Sequence, residues 1–243
     1  MKPCRWKAPV CNGNQWSLST QLSQFSYSFF KIAKREAINI KELHVISTGQ
    51  QTLETLVSIV TEIHRYIDYL HLRESEWSDQ DLVQTIENLS ASGVPMEKLI
   101  VNHRVDVANQ MGVHGVQLTY RSMEVAKMKS AFPELKVGCS VHTVSEATHL
   151  ARHGADFIVY GHIFETASKI GLEPKGVGSL QHVARQVSIP VIAIGGITPR
   201  NVQEVMAHGA SGVAILSGIL LAKDPLKAAQ EYRYALTKSE VVV

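Results

Sequence analysis

The stretch Ala155-Asp156-Phe157-Ile158-Val159-Tyr160-Gly161-His162-Ile163-Phe164-Glu165-Thr166 carries the pattern that decides the fold. Its first half has buried-strand character and stops at Gly161. A histidine follows at once, then Glu165, Thr166, Ser168 and Lys169. A titratable imidazole thus sits where a strand opens into a polar loop. In a parallel α/β fold, that end of the strand is where chemistry gathers.

The same unit recurs on both sides of this stretch. Before it, short apolar strands are expected over Leu43–Ile46, Ile67–Leu72, Leu99–Val101, Val113–Leu118 and Lys136–Val141. The helices between them are expected over Leu53–Ile63, Asp79–Leu89, Val105–Met111, Met123–Ala131 and Ser145–Arg152. Leu53, Leu56, Val57, Val60 and Ile63 fall on one face at helical spacing. After the stretch come a helix over Leu180–Val187, a strand over Pro190–Ile194, a helix over Asn201–Ala207, a strand over Val213–Leu216 and a helix over Asp224–Leu236. Eight strand-then-helix units with short connections predict a single (β/α)8 barrel, a TIM barrel, over residues 41–243. A doubly wound open sheet is the alternative. It normally shows a glycine-rich fingerprint after its first strand, and Ser47-Thr48-Gly49-Gln50 is not one.

The totals agree with that architecture. A barrel of this type needs ~250 residues, and the chain has 243, with 45% hydrophobic and 19% charged residues. The net charge of +2 makes no case for nucleic acid or an anionic membrane as a partner. Cys4, Cys11 and Cys139 are odd in number and lack metal-site spacing, so a reduced, cytoplasmic setting is expected. No apolar run reaches the ~20 residues that span a bilayer. Lys2, Arg5 and Lys7 are not followed by an apolar segment, so no secretory signal is expected. Residues 1–40 are rich in Ser, Gln and aromatics without a clean period. They read as an N-terminal extension, either a partly ordered tail or a start codon placed too far upstream.

Three glycine turns mark the strand ends of the second half: Lys175-Gly176-Val177-Gly178, Gly195-Gly196-Ile197-Thr198 and Ser217-Gly218-Ile219. Barrels bind phosphate with the loops after strands seven and eight, where bare backbone N–H groups reach the oxyanion. A tight turn alone needs the same residue type, but three at these places favour phosphate. Of the 11 histidines, only His142 and His162 combine a strand C-terminus with polar neighbours. An imidazole that both accepts and donates a proton near neutral pH suits a proton-shift reaction. Arg73, Asn102 and Lys169 also end or follow strands, and the two cations suit an anionic substrate. For Arg73 an ion pair with Glu74 or Glu76 is the alternative. No HExxH, CxxC or paired-carboxylate metal site is visible.

From about residue 42 onward the chain resembles the thiamin phosphate synthase superfamily. The resemblance rests on Leu72-Arg73-Glu74, Asn102 to Ala108, Gly138-Cys139-Ser140-Val141-His142, Gly161 to Lys169, Ile189 to Thr198 and Ala214 to Ile219. The departures narrow it. The synthase pattern runs Gln-x-Arg-x-Lys after strand two, where this chain has His71-Leu72-Arg73-Glu74-Ser75. Its magnesium-binding Asp after strand three is His103 here, and Gln117 to Ser122 contains no acid to match its second. Where the synthase has Gly-Pro-Ile-Phe-x-Thr, this chain has Gly161-His162-Ile163-Phe164-Glu165-Thr166. That combination is similar to the thiazole tautomerase branch, the TenI-type proteins, in which a histidine at the position of His162 transfers the proton.

The resemblance implies an isomerase of thiamin biosynthesis that needs no cofactor and no metal. Its substrate would be a small-molecule thiazole phosphate carboxylate, the 2-(2-carboxy-4-methylthiazol-5(2H)-ylidene)ethyl phosphate tautomer, converted to the aromatic form. His162 would be catalytic. The backbone at Gly176, Gly196, Ser217 and Gly218 would hold the phosphate, with Arg73, Lys169 and Asn102 orienting the substrate. Glu165, Cys139 and His142 are the candidates for a second proton-transfer group. The rivals are thiamin phosphate synthase chemistry and a non-catalytic regulatory barrel. A homo-oligomer and hand-over of substrate from a thiazole synthase both stay open.

Overall fold

The computed structural model describes residues 41–119 and 125–238. The expected extension over residues 1–40, the stretch Tyr120–Ser122 and the expected helix start at Met123 lie outside the described residues.

Eight strands form the core: β1 (Glu42–Ile46), β2 (Tyr69–Leu72), β3 (Leu99–Asn102), β4 (Gly115–Thr119), β5 (Lys136–Val141), β6 (Phe157–Gly161), β7 (Val191–Ile194) and β8 (Gly212–Ile215). Each pairs in parallel with its chain neighbour, and β1 pairs with β8, so the sheet closes. The (β/α)8 barrel expected from the sequence is the observed fold, and the open doubly wound sheet is not.

Helices α1 (Leu53–Ile63), α2 (Asp79–Ala91), α3 (Val105–Met111), α4 (Val125–Ala131), α5 (Val144–Arg152), α6 (Gly176–Gln186), α7 (Val202–Ala207), α8 (Ser217–Leu220) and α9 (Pro225–Lys238) lie between and after the strands. Their starts follow ordinary capping chemistry. Thr52 accepts from the Thr55 N–H, Thr143 from the Glu146 N–H, and Ser78 with Asp81 forms a reciprocal capping box before α2. Helix α3 ends on Gly112 at φ 61°, a conformation that costs glycine nothing. None of the helices among the described residues is long and apolar enough to cross a membrane.

Strand alternation divides the apolar residues into two groups. Leu43 and Val45 of β1 pack outward with Leu56, Val60 and Ile63 of α1 in the large cluster shared by strands and helices. Ile46, Ile100, Phe157, Val159, Ile192 and Ala214 make a smaller cluster inside the barrel. The interior also takes polar side chains. His44 and His71 are fully buried, with Nδ1 of one 2.8 Å from Nε2 of the other, and the His44 Nε2 lies 3.0 Å from a Glu42 carboxylate oxygen. Burial pushes the His44 imidazole down to about 3 and holds His71 well below the usual histidine range, so both stay neutral. Burial also raises the Glu42 carboxyl to about 7.

At the base, Asp68 accepts from the Leu43 N–H at 2.7 Å and pairs with Arg233 of α9. Arg233 also donates to the carbonyls of Tyr66 and Lys41, which ties the last helix to the first strand. Three short elements escape a periodicity reading: the four-residue helix α8 and 3-10 turns over Met96–Lys98 and Ala167–Lys169. None is long enough to show a repeat. Helix α6 starts at Gly176, four residues before the expected Leu180, because Gly176 at φ 72° makes the turn that opens it.

Candidate active site

The C-terminal ends of the strands surround a cavity of about 730 Å³. Arg73, Asn102, His162, Lys169, Gly196, Ser217 and Gly218 all line it. Strand closure brings these seven residues together although Arg73 and Gly218 lie 145 positions apart in sequence (218 − 73). Gly176 is not among the lining residues, and its N–H already donates to the Ile163 carbonyl at 3.0 Å. Its expected role in holding phosphate therefore has no support from its placement.

His162 follows the last residue of β6 and is half-buried. The peptide unit that follows it is fixed at both its polar groups. The His162 carbonyl accepts from Lys175 N–H at 2.8 Å, and the Ile163 N–H donates to the Ile194 carbonyl at 2.9 Å. The ring Nε2 lies 3.2 Å from the Leu172 carbonyl oxygen. A carbonyl only accepts, so in this arrangement Nε2 carries the hydrogen and Nδ1 keeps the lone pair.

The glycine pair after β7 shapes this corner. Gly195 has φ 99° and Gly196 φ 65°, both in the left-handed region. A Cβ on Gly195 would collide with the Cβ of His162, and one on Gly196 with the Glu165 carbonyl and Phe164. These glycines therefore let the β6 loop lie directly against the β7 loop, a requirement separate from any anion contact. After β8, the N–H groups of Ser217 and Gly218 open α8 and have no acceptor within that helix. A Cβ on Gly218 would press on the Tyr232 hydroxyl, which donates to the Ile197 carbonyl at 2.9 Å.

Arg73 is held by its own N–H, which donates to Ser47 Oγ at 2.8 Å. Glu74 accepts instead from the Gly49 N–H, and Glu76 from Ser75, so no ion pair joins Arg73 to either acid among the described residues. The guanidinium stands in the mouth with Lys169 from the β6 loop. Glu165 is the one carboxylate among the described lining residues.

Of the candidates for a second proton-transfer group, Cys139 is removed by its placement. It is fully buried among the residues packed between barrel and helices, and burial pushes its thiol up to about 12. Glu165 and His142 both line the cavity. The His142 N–H donates to a Glu146 carboxylate oxygen at 2.7 Å, and its ring Nδ1 lies 3.3 Å from the Gly161 carbonyl.

The floor holds residues that the sequence reading left without a role. Gln117, buried on β4, donates through Nε2 to Ser140 Oγ at 3.0 Å. The buried oxygens Gln117 Oε1 and Asn102 Oδ1 have no partner among the described residues. Both face the cavity side of neighbouring strands, paired in register as Asn102 with Gln117. The inward alternation of β4 was the available signal for Gln117. Nothing local marks Tyr232, which reaches the mouth from the last helix.

Comparison with known proteins places this arrangement. The family profile described as thiamine monophosphate synthase matches residues 43–219. The chain is similar to the thiamine-phosphate synthase of Methanococcus maripaludis, with 33% identity over 79% of this chain and 94% of that protein. It is 40% identical to the thiamine-phosphate synthase of Chloroflexus aurantiacus over 58% of this chain, an alignment that spans 65% of that relative's length. Among solved structures, thiamine phosphate pyrophosphorylase from Pyrococcus furiosus superposes with a TM-score of 0.70 and 26% identity, over 83% of this chain and 98% of that one. A 3-hexulose-6-phosphate synthase at 17% identity and TM-score 0.60 shares the fold alone.

Proposed function

The chain belongs to the thiamine monophosphate synthase family, and we propose that within it this protein is a thiazole tautomerase. The observation that carries the reading is the His162 imidazole. It stands in a mouth with two basic side chains, against the Gly195-Gly196 turn, with Glu165 the one carboxylate in the described lining. The substrate is the carboxylated, non-aromatic thiazole phosphate. Its phosphate lies on the N–H groups of Gly196, Ser217 and Gly218, and Arg73 and Lys169 face its anionic groups.

His162 Nδ1 takes the proton from the ring carbon that bears the carboxylate. The C–H electrons enter the ring, and the exocyclic double bond gains a proton at its outer carbon. The product is the aromatic carboxythiazole phosphate. Aromatisation makes the step downhill, so acid–base help of ~10²–10⁴-fold suffices.

A second reading, thiamine phosphate synthase, is favoured by the names of the relatives, which point to it more directly than to a tautomerase. That reaction expels pyrophosphate, and its charge requires a divalent ion. Magnesium is usually held by one or two carboxylates together with substrate phosphates. The side chains at the matching strand ends, Asn102, His103 and Thr119, supply no carboxylate. The donor set does not fit the metal, so no step is derived through it.

The experiment gives the purified chain both reactions. The tautomerase reading expects aromatisation of the thiazole tautomer, followed by absorbance, without added metal. Magnesium-dependent coupling of thiazole phosphate to a pyrimidine pyrophosphate, with no aromatisation, would replace it by the synthase reading.

A further inference from the structure

Resting on the tautomerase reading, we propose that His142 is a second catalytic residue, which delivers a proton to the exocyclic carbon while His162 removes one from the ring.

The first support is the restraint on His162. Its carbonyl accepts from Lys175 N–H, the next residue's N–H donates to the Ile194 carbonyl, its Cβ occupies the space a side chain on Gly195 would need, and its Nε2 faces the Leu172 carbonyl. The carbon that loses a proton and the carbon that gains one lie on opposite sides of the ring sulfur. A ring nitrogen pinned this way serves one of them well and the other poorly, since proton transfer needs hydrogen-bond reach.

The second support is where His142 stands. It follows β5, the strand paired with β6 through Val141 and Tyr160, and it lines the same cavity. Its Nδ1 lies 3.3 Å from the Gly161 carbonyl, the carbonyl of the peptide unit that leads into His162. The two imidazoles therefore flank one peptide. With Nδ1–H directed at that carbonyl, Nε2 is the atom of His142 that gains and loses a proton. Glu146 accepts the His142 backbone N–H at 2.7 Å, which fixes the backbone from which the ring projects.

The proton balance closes without any other reactant. The ring C–H bond breaks to His162 Nδ1. Its electrons form the ring C=N bond, the former C=N electrons form the endocyclic C=C bond, and the exocyclic C=C electrons take the proton from His142 Nε2. The step leaves His162 protonated and His142 neutral, and exchange with water restores both.

The test uses full-length enzyme and the tautomer deuterated at the carboxylate-bearing carbon, in ordinary water. The expected product carries solvent hydrogen at the exocyclic carbon, with the deuterium lost to water. His142→Gln keeps a donor for the Gly161 carbonyl but cannot relay a proton. It is expected to lose about 100-fold in kcat or more, within the range of general acid–base catalysis, with KM changed by less than about threefold. Transfer of deuterium to the exocyclic carbon overturns the proposal, as does His142→Gln with wild-type kcat. Loss of kcat in Glu165→Gln while His142→Gln keeps its rate assigns the proton to Glu165 instead. Wild-type enzyme that does not aromatise the tautomer at all overturns the tautomerase reading, and this proposal with it.

Discussion

Nε2 of His162 lies 3.2 Å from the carbonyl oxygen of Leu172, ten residues further along the same loop. The acceptor is backbone, so the contact depends on how the loop is laid rather than on another side chain. It selects the tautomer with hydrogen on Nε2, which leaves the Nδ1 lone pair for the proposed proton transfer. In the folded enzyme near neutral pH, nitrogen-15 spectra should show His162 as the Nε2–H tautomer. An Nδ1–H pattern would reverse the assignment of the base atom.

Replacing His162 by Gln should lower kcat for aromatisation by about 10²–10⁴-fold, the usual worth of one acid–base group. KM should change little, because the proposed phosphate and carboxylate contacts come from other residues. Retention of full activity would remove His162 from the mechanism.

Gly195→Ala should harm both fold and rate. The residue sits at φ 99°, and the added carbon would meet the His162 Cβ. Strain of this kind costs about 1–3 kcal/mol, and the displaced ring should lower kcat further. Gly178→Ala is the contrast, because nothing lies within 4 Å of its added carbon and the residue is inside α6. Alanine is favoured over glycine in a helix by roughly 0.5–1 kcal/mol, so this variant should melt higher. Thermal unfolding of the two variants checks the pair.

Arg73→Ala and Lys169→Ala should raise KM more than they lower kcat. A hydrogen bond to a charged group contributes about 1.5–3 kcal/mol, so each loss should weaken substrate binding by roughly 10- to 100-fold. Steady-state kinetics on the thiazole phosphate reads this directly.

The buried histidines make the fold acid-sensitive. Folded His44 has its pKa lowered from 6.5 to about 3, and His71 is lowered as well. The unfolded chain then binds more protons, so stability is fully present above about 6.5 and is lost as pH falls from there towards 3. Glu42 acts the other way: raised from 4.5 to about 7, it keeps its proton when folded and lowers stability as pH climbs through that window. Urea midpoints taken across this range should fall in acid, and Glu42→Gln should steepen the fall. An unchanged midpoint down to pH 4 would contradict the neutral histidine pair.

Much of the barrel was legible because each helix buries one face and writes a period into the sequence, while each strand is buried on both faces and reads as a short apolar run. All eight strands lie where short apolar runs end in glycine or polar residues, as with Phe157 to Gly161. The placement of His162, Arg73 and Asn102 at the cavity was legible because they end or directly follow strands in a fold that collects strand ends, and Lys169 lies in the loop after one. The placement of Gly176 was not legible: a glycine turn that opens a helix looks the same in sequence whether its N–H faces a ligand or, as here, the Ile163 carbonyl. The close approach of Gly195 to His162 was hidden too, since a glycine does not announce what occupies the space of its missing Cβ.

The sequence alone determined the alternating strand–helix order, the closed parallel barrel and the presence of an imidazole with basic companions at strand ends. Local periodicity and turn chemistry are short-range, and the chain records them directly. Only the tertiary structure decided which nitrogen of His162 faces a carbonyl, that Cys139 faces the helices, and that His142 reaches the Gly161 carbonyl across paired strands. Those facts depend on strand register and loop path, which are set by packing among residues far apart in the chain.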